Sequence, residues 1–302
     1  MNQAKHSSDL LPLAALFMIP RFDYKIPRTL EEACNLLWEF RETARIIAGG
    51  TDLVISLRNG DLRPRCLIDI TRLEELREIE ERDGMIFVGA GVTHSEVVSS
   101  PLVARYGKLL SEAACKIGSP QIRNLGTLGG NIVNASPAAD TLPPLMVLDA
   151  VGKVISKQGE KEVPLRQLFN RPYETSLKPY EILTQVRFPK LPSSARSSFI
   201  RLARREAMAI ARMSVAVILQ FEKGLIEDIR ISVGSVTPTP GRMSDAEAVL
   251  KGKLPNEEGV QVAARKVSET MIRQSGIRPS TAYKRPVVEA LVIRAIRKAI
   301  EE

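Results

Sequence analysis

The chain has 302 residues, 44% hydrophobic and 26% charged, with a formal net charge of +8. That length supports two or three domains with cores of their own, and that composition excludes disordered and fibrous chains. Three widely spaced cysteines (Cys34, Cys66, Cys115) and two histidines (His6, His94) give no disulfide framework, no C-x-x-C pair for zinc or an iron–sulfur cluster and no imidazole-rich metal site; a reduced, cytoplasmic setting fits.

In chain order, Leu10 to Ile19 is an apolar run much shorter than the roughly 20 residues of a membrane span. Asp9 before it and the lack of an A-x-A cleavage site after it separate it from a signal peptide. Met18-Ile19-Pro20-Arg21-Phe22 reads as a natural start, so residues 1–17 are expected to be an N-terminal extension. Thr29 with Glu32 has capping-box spacing and opens a helix whose apolar face is Leu30, Ala33, Leu36 and Leu37. Arg45 to Ala48 reads as a buried strand, Gly49-Gly50 as a turn, Thr51 to Leu57 as a helix and Cys66 to Ile70 as a second strand. Residues 18–72 thus form a first unit that alternates strand and helix.

Arg77 to Glu80 and Met85 to Val88 flank Asp83-Gly84, a hairpin signal. Thr93 caps a helix to Val98, Leu109 to Ile117 is another, and Leu142 to Leu148 is helical with its prolines in the first turn. Val151 to Ser156, Glu162 to Val163 and Ile182 to Phe188 read as strands, giving a second unit over 73–190. Lys190 to Ser194 is the linker. Over 196–302, Val215 to Phe221 and Ile226 to Val233 form a long hairpin around Glu222-Lys223-Gly224, and helices follow, the last with Val288, Leu291, Ala295 and Ile296 on one side. Residues 191–302 hold 19 Lys/Arg against 12 Asp/Glu. A solvated helical surface accounts for that; a docking face for an anionic partner is the alternative.

Two glycine turns carry the chemistry. In Ile46-Ile47-Ala48-Gly49-Gly50-Thr51-Asp52-Leu53 a strand ends, side chains vanish and a helix begins, which lets backbone N–H groups approach a phosphate at a helix N-terminus. The same segment also reads as a plain strand–helix turn. Gly126-Thr127-Leu128-Gly129-Gly130-Asn131 repeats the theme, and Asp140 stands before a helix, either as its cap or as an acceptor for sugar-type hydroxyls. Neither turn is a Walker A or a G-x-G-x-x-G in strand–turn–helix context; Gly89-Ala90-Gly91 comes closest, with His94 at the third glycine's place. His94 reads as a capping or helix-surface residue, and Cys115 as a small buried hydrophobe.

Ala48 to Leu53, Ile117 to Asn124, Gly126 to Asn131 and Ala135 to Asp140 occur in this order. Together with Gly89 to Val97 and Leu202-Ala203-Arg204-Arg205, they resemble the FAD-binding medium subunit of molybdenum hydroxylases, the group of carbon monoxide dehydrogenase medium subunits and xanthine dehydrogenase flavin portions. The resemblance runs from about Pro20 to the C-terminus. It implies an α+β chain: a two-subdomain FAD-binding fold of the vanillyl-alcohol-oxidase/PCMH type plus a C-terminal α/β domain (antiparallel sheet with helices). It implies diphosphate contacts from Ile46, Ile47, Ala48, Gly49, Gly50, Thr51, Asp52 and Leu53 and from Thr127, Gly129, Gly130 and Asn131, a cofactor contact from Asp140, and apolar positions near the cofactor at Ile117 and Leu183. One departure concerns the ring: Ile200 stands where xanthine-dehydrogenase-like members have Lys, and Phe199 where carbon-monoxide-dehydrogenase-like members have Tyr.

The function so implied is electron relay. A large subunit with the molybdenum cofactor and a small subunit with [2Fe-2S] clusters supply electrons, and FAD on this chain passes them to an acceptor such as NAD, oxygen or a quinone, the cofactor supplying the hard chemistry. A self-contained flavin reductase similar to the UDP-N-acetylenolpyruvoylglucosamine reductases is one alternative, for which the chain shows no clear proton-donor set. A non-catalytic anion-binding module using the basic last third is another. Nucleic acid is not an expected partner, since aromatics are only 5% and Trp38 lies far from the basic third.

Overall fold

Alternating strand and helix over the first fifty described residues commits them to parallel pairing, because a strand can rejoin its neighbour in the same direction only through a crossover. The computed structural model describes residues 21–302; the expected extension over residues 1–17 lies outside the described residues. β1 (Asp23–Lys25), α1 (Leu30–Phe40), β2 (Ala44–Ile47), α2 (Leu53–Asn59) and β3 (Cys66–Asp69) build a parallel sheet of order β1-β3-β2. β3 is buried throughout, and α1 lays Ala33, Cys34 and Leu37 against it. Thr29 Oγ1 accepts the Glu32 N–H at 3.1 Å, but the Glu32 carboxylate takes the Arg28 N–H at 2.7 Å, so only half of the expected capping box forms. The second helix begins at Leu53 rather than Thr51, leaving Gly49 to Asp52 as an extended turn.

The next sheet is antiparallel. β4 (Ile79–Arg82) and β5 (Met85–Gly89) meet at Asp83-Gly84, both with positive φ (52° and 73°), the geometry of a type I′ turn. Six short helices follow: α3 (His94–Ser99), α4 (Pro101–Tyr106), α5 (Lys108–Cys115), α6 (Pro120–Leu125), α7 (Leu128–Asn134) and α8 (Leu142–Val147). The chain then returns through β6 (Val151–Ser156), β7 (Gly159–Pro164), the small pair β8 (Phe169–Arg171) and β9 (Glu174–Thr175), and β10 (Ile182–Pro189). The sheet order is β4-β5-β10-β6-β7. Cys115 is exposed, contrary to expectation: α5 turns Leu109, Leu110, Ala113 and Ala114 to the core, and the next residue falls outside that face.

β11 (Arg196–Leu202), β12 (Met213–Glu222) and β13 (Leu225–Gly234) form the third sheet, followed by α9 (Ser244–Leu250), α10 (Glu257–Ser275) and α11 (Thr281–Glu301). β12 is buried on both faces. Met213, Val215, Val217 and Leu219 pack toward the helices, with Val267 and Ile296; Ala216 and Ile218 pack toward the second unit's core, with Leu145 and Phe188. At about 1.5–3 kcal/mol for each large apolar side chain, this strand ties the last unit firmly to the one before it. β11 escaped the sequence reading because Ser197 and Ser198 interrupt its apolar pattern; both are buried, and the Ser198 hydroxyl donates to the Ala295 carbonyl at 2.7 Å. Among the described residues no helix is long and apolar enough to cross a membrane.

Candidate functional site: a cleft between two touching glycine turns

A cleft of about 930 Å³ opens where the three units meet, at the upper end of the size range of small-molecule sites. Ile46, Ala48, Gly49, Gly50, Thr51, Asp52 and Leu53 line one wall. Thr127, Gly129, Gly130, Asn131 and Asp140 line the facing wall, with Ile117 and Leu183. Ile47 is not on the cleft: strand alternation turns it the other way, where its Cδ1 lies 3.4 Å from where a Gly50 Cβ would stand.

The two turns touch through their backbones. A Cβ on Gly49 would stand 1.9 Å from the Leu125 carbonyl oxygen and 2.9 Å from the Gly126 nitrogen. A Cβ on Gly129 would stand 2.6 Å from Ala90 Cβ and 2.7 Å from Ala90 O. Close packing alone therefore requires glycine at both positions, Gly49 against the Leu125 backbone and Gly129 against Ala90. Gly50 differs, since its φ of +68° is the left-handed turn that aims successive N–H groups the same way. A further tie runs from Asn134 Nδ2 on α7 to Asp52 Oδ1 at 3.3 Å.

The walls offer unequal sets of donors. Among the described residues no acceptor takes the amide hydrogens of Gly49, Gly50, Thr51, Asp52 or Leu53. The second turn is largely self-satisfied: Leu128 N–H donates to Val92 O (2.8 Å), Gly129 N–H to Ala90 O (2.9 Å), and Gly130 N–H to the capping Thr127 Oγ1 (3.0 Å). The Thr141 hydroxyl donates to Asn131 Oδ1 at 2.5 Å, which orients that amide with its Nδ2 unbonded.

The deepest polar groups of the cleft are incomplete. Asp140 is not a helix cap; Thr141 holds that position, and Asp140 instead faces Arg201 from β11, its Oδ2 3.0 Å from the Arg201 Nε. Both side chains are about 95% buried, yet the Nε–H makes no aligned hydrogen bond and Asp140 Oδ1 has no partner. Burial outweighs the nearby Arg201 cation and pushes the Asp140 carboxyl up to about 7. His94 is the other departure. It is 2% exposed, not a surface residue; Thr93 is the cap, with Glu96 completing a reciprocal capping box. Burial, with Arg123 nearby, pushes the His94 imidazole down to about 4, so the ring is neutral, and its Nδ1 has no partner. Each such orphan costs about 1–3 kcal/mol, and among the described residues the buried side-chain atoms left without partners belong to His94, Asp140 and Arg201, all lining this cleft.

Sequence reasoning missed His94 and Arg201 as cleft residues. Strand register explains the second. Phe199 packs into the second unit's core and Ile200 against the last unit's, so the residues expected near a ring lie elsewhere and Arg201 is the β11 side chain that reaches the cleft. Its guanidinium also donates to the Ala209 carbonyl, which ties down the segment after β11.

A cleft between α/β units, walled by open backbone amides and unsatisfied buried polar groups, is the site of a protein that holds an extended, phosphate-bearing cofactor. Residues 20–191 match the FAD binding domain in molybdopterin dehydrogenase, and residues 198–299 match the CO dehydrogenase flavoprotein C-terminal domain. The chain belongs to the family of FAD-binding medium subunits of the molybdenum hydroxylases, and it is an oxidoreductase subunit whose cofactor is FAD. It is 32% identical over 281 residues to the 6-hydroxypseudooxynicotine dehydrogenase complex subunit alpha of Paenarthrobacter nicotinovorans, covering 93% of this chain and 95% of that one. It is 30% identical over 279 residues to the xanthine dehydrogenase FAD-binding subunit of Escherichia coli O157:H7 (92% and 95%). The solved carbon monoxide dehydrogenase of Hydrogenophaga pseudoflava that lacks the Mo-pyranopterin moiety superposes with a TM-score of 0.89 at 31% identity, over 94% of this chain and 99% of that one.

Proposed function

We propose that this chain takes electrons from the iron–sulfur clusters of a small partner subunit, within a cytoplasmic complex whose large subunit carries the molybdenum cofactor, and passes them to an external acceptor such as NAD, oxygen or a quinone. FAD, when bound, supplies the redox chemistry, taking up electrons one at a time and releasing them to the acceptor. The residues supply binding and electrostatics. The amides of Gly49 to Leu53 receive the diphosphate, with Thr127 and Asn131 opposite. Asp140 of the second unit and Arg201 of the last supply facing polar groups at the deep end of the cleft, and Ile117 and Leu183 give apolar walls. The units at 18–72 and 73–190 hold the cofactor, and 196–302 closes over it.

The observation that carries this reading is the convergence of five unbonded amides and three orphaned buried polar atoms on one cleft. The test is the visible spectrum of the purified chain, titrated with FAD, followed by mass spectrometry of what co-purifies from the native host. Stoichiometric FAD and two co-purifying subunits are expected. A chain that binds no FAD overturns the site, and a chain that binds FAD alone and reduces a substrate by itself overturns the relay.

A further inference from the structure

His94 is costly where it stands. No hydrogen bond reaches either ring nitrogen among the described residues, Nδ1 is wholly buried, and a leucine in such a place would spare the chain an unsatisfied polar group. The position is nevertheless shaped around an imidazole. The His94 backbone N–H donates to Gly126 O at 2.9 Å, so ring and second turn move as one body. A Cβ on Gly126 would stand 3.3 Å from His94 Cδ2 and 3.6 Å from Nε2, so a glycine there lets the ring lie against the turn. Gly49 presses on Leu125, the residue just before Gly126, which brings the unbonded amides of the first turn to the same place. Arg123, on α6 beside the ring, is fixed by donating to Ile117 O at 2.8 Å and adds positive potential. A neutral imidazole in that field has an N–H to give and nothing on the chain to give it to.

We infer that His94 is a cofactor ligand: its neutral imidazole donates a hydrogen bond from Nε2, the ring nitrogen that is not wholly buried, to the diphosphate of the dinucleotide, from beneath the second glycine turn, completing the set begun by the first turn's amides. This rests on the reading that FAD occupies the cleft. A purely structural histidine would lower stability and all binding together when removed; a diphosphate ligand separates the two.

The experiment compares the full chain with His94→Leu and His94→Gln. It measures the melting temperature without cofactor, and the dissociation constants of FAD, ADP and riboflavin by fluorescence and calorimetry. His94→Leu is expected to melt at or above the wild-type temperature without cofactor, since it removes the orphan. It should bind FAD and ADP at least tenfold more weakly and riboflavin unchanged. His94→Gln, which keeps a donor, should recover part of the ADP affinity. Unchanged FAD and ADP binding in His94→Leu overturns the inference, as does an equal loss for riboflavin, or a lower melting temperature with all three ligands weakened. Should His94→Leu fail to fold, His94→Gln decides: ADP affinity closer to wild type than riboflavin affinity refutes it. A wild-type chain that binds riboflavin and ADP but not FAD sinks the cofactor reading instead.

Discussion

Gly49→Ala tests the contact on which the cleft depends. The added methyl carbon would sit 1.9 Å from a carbonyl oxygen and 2.5 Å from its carbon, both backbone, so no rotamer change relieves it. Side-chain carbons essentially never come within 3.0 Å of such atoms, so the turns must part by more than 1 Å. Overpacking of this kind costs about 1–3 kcal/mol. At about 2–4 °C per kcal/mol for a domain of 150–250 residues, the melting temperature should drop by about 2–12 °C. Binding should suffer more than folding. Hydrogen bonds from amides to a charged group are worth about 1.5–3 kcal/mol each, so misplacing one or two of the five weakens FAD by roughly 10- to 10,000-fold. Thermal melts and fluorescence titration read both quantities. Gly241→Ala, where an added Cβ meets nothing within 4 Å and φ is unexceptional, is the control and should change neither. If Gly49→Ala binds FAD like the wild type and melts at the same temperature, the two turns do not form one clasp.

Stability without cofactor should respond to pH through two buried groups of opposite sign. Asp140, with its folded carboxyl raised to about 7, contributes stability that is lost as pH rises from about 4 to 7; His94, with its folded imidazole lowered to about 4, contributes stability that is lost as pH falls from about 6.5 to 4. Between pH 5 and 7 the slopes oppose, so Asp140→Asn should become more stable, relative to wild type, by on the order of 2–3 kcal/mol as pH rises across that window, and identical pH profiles for the two would refute the assignment. Thr93→Ala removes a capping box and should cost about 1 kcal/mol, visible as a lower urea midpoint with unchanged slope. Glu247→Ala should cost about 2–3 kcal/mol, since its carboxylate takes the Ile231 N–H at 2.8 Å and holds Arg242 at 2.8 Å; a melting temperature within 1 °C of wild type would show that the buried pair contributes little.

The glycine turns were legible in the sequence through four segments standing in family order; Gly-Gly at a strand end alone also reads as a plain strand–helix turn. Their reason was not legible. Nothing in Ala48-Gly49-Gly50 says that Gly49 abuts Leu125, seventy-six residues later in the chain, because close approach of two backbones is a property of the pair. The same holds for β11: Ser198 is buried in a strand because Ala295 supplies an acceptor from the last helix, a partner the local sequence does not show. Cys115 was misjudged by one step of helical phase, and phase is fixed only by the helices and the strand β11 packed around α5. His94 and Arg201 show the sharper limit. A lone histidine after a capping threonine looks like a helix-surface residue, and Arg201 lies on a strand that the sequence reading did not identify. What marks both is a buried nitrogen left without a hydrogen bond, Nδ1 of His94 and Nε of Arg201, and that is visible only when the surrounding atoms are in place. Local rules place elements; they fail where a chain accepts an uncompensated polar group, and here those failures fall on the walls of one cleft, the kind of place where a functional site breaks a local rule.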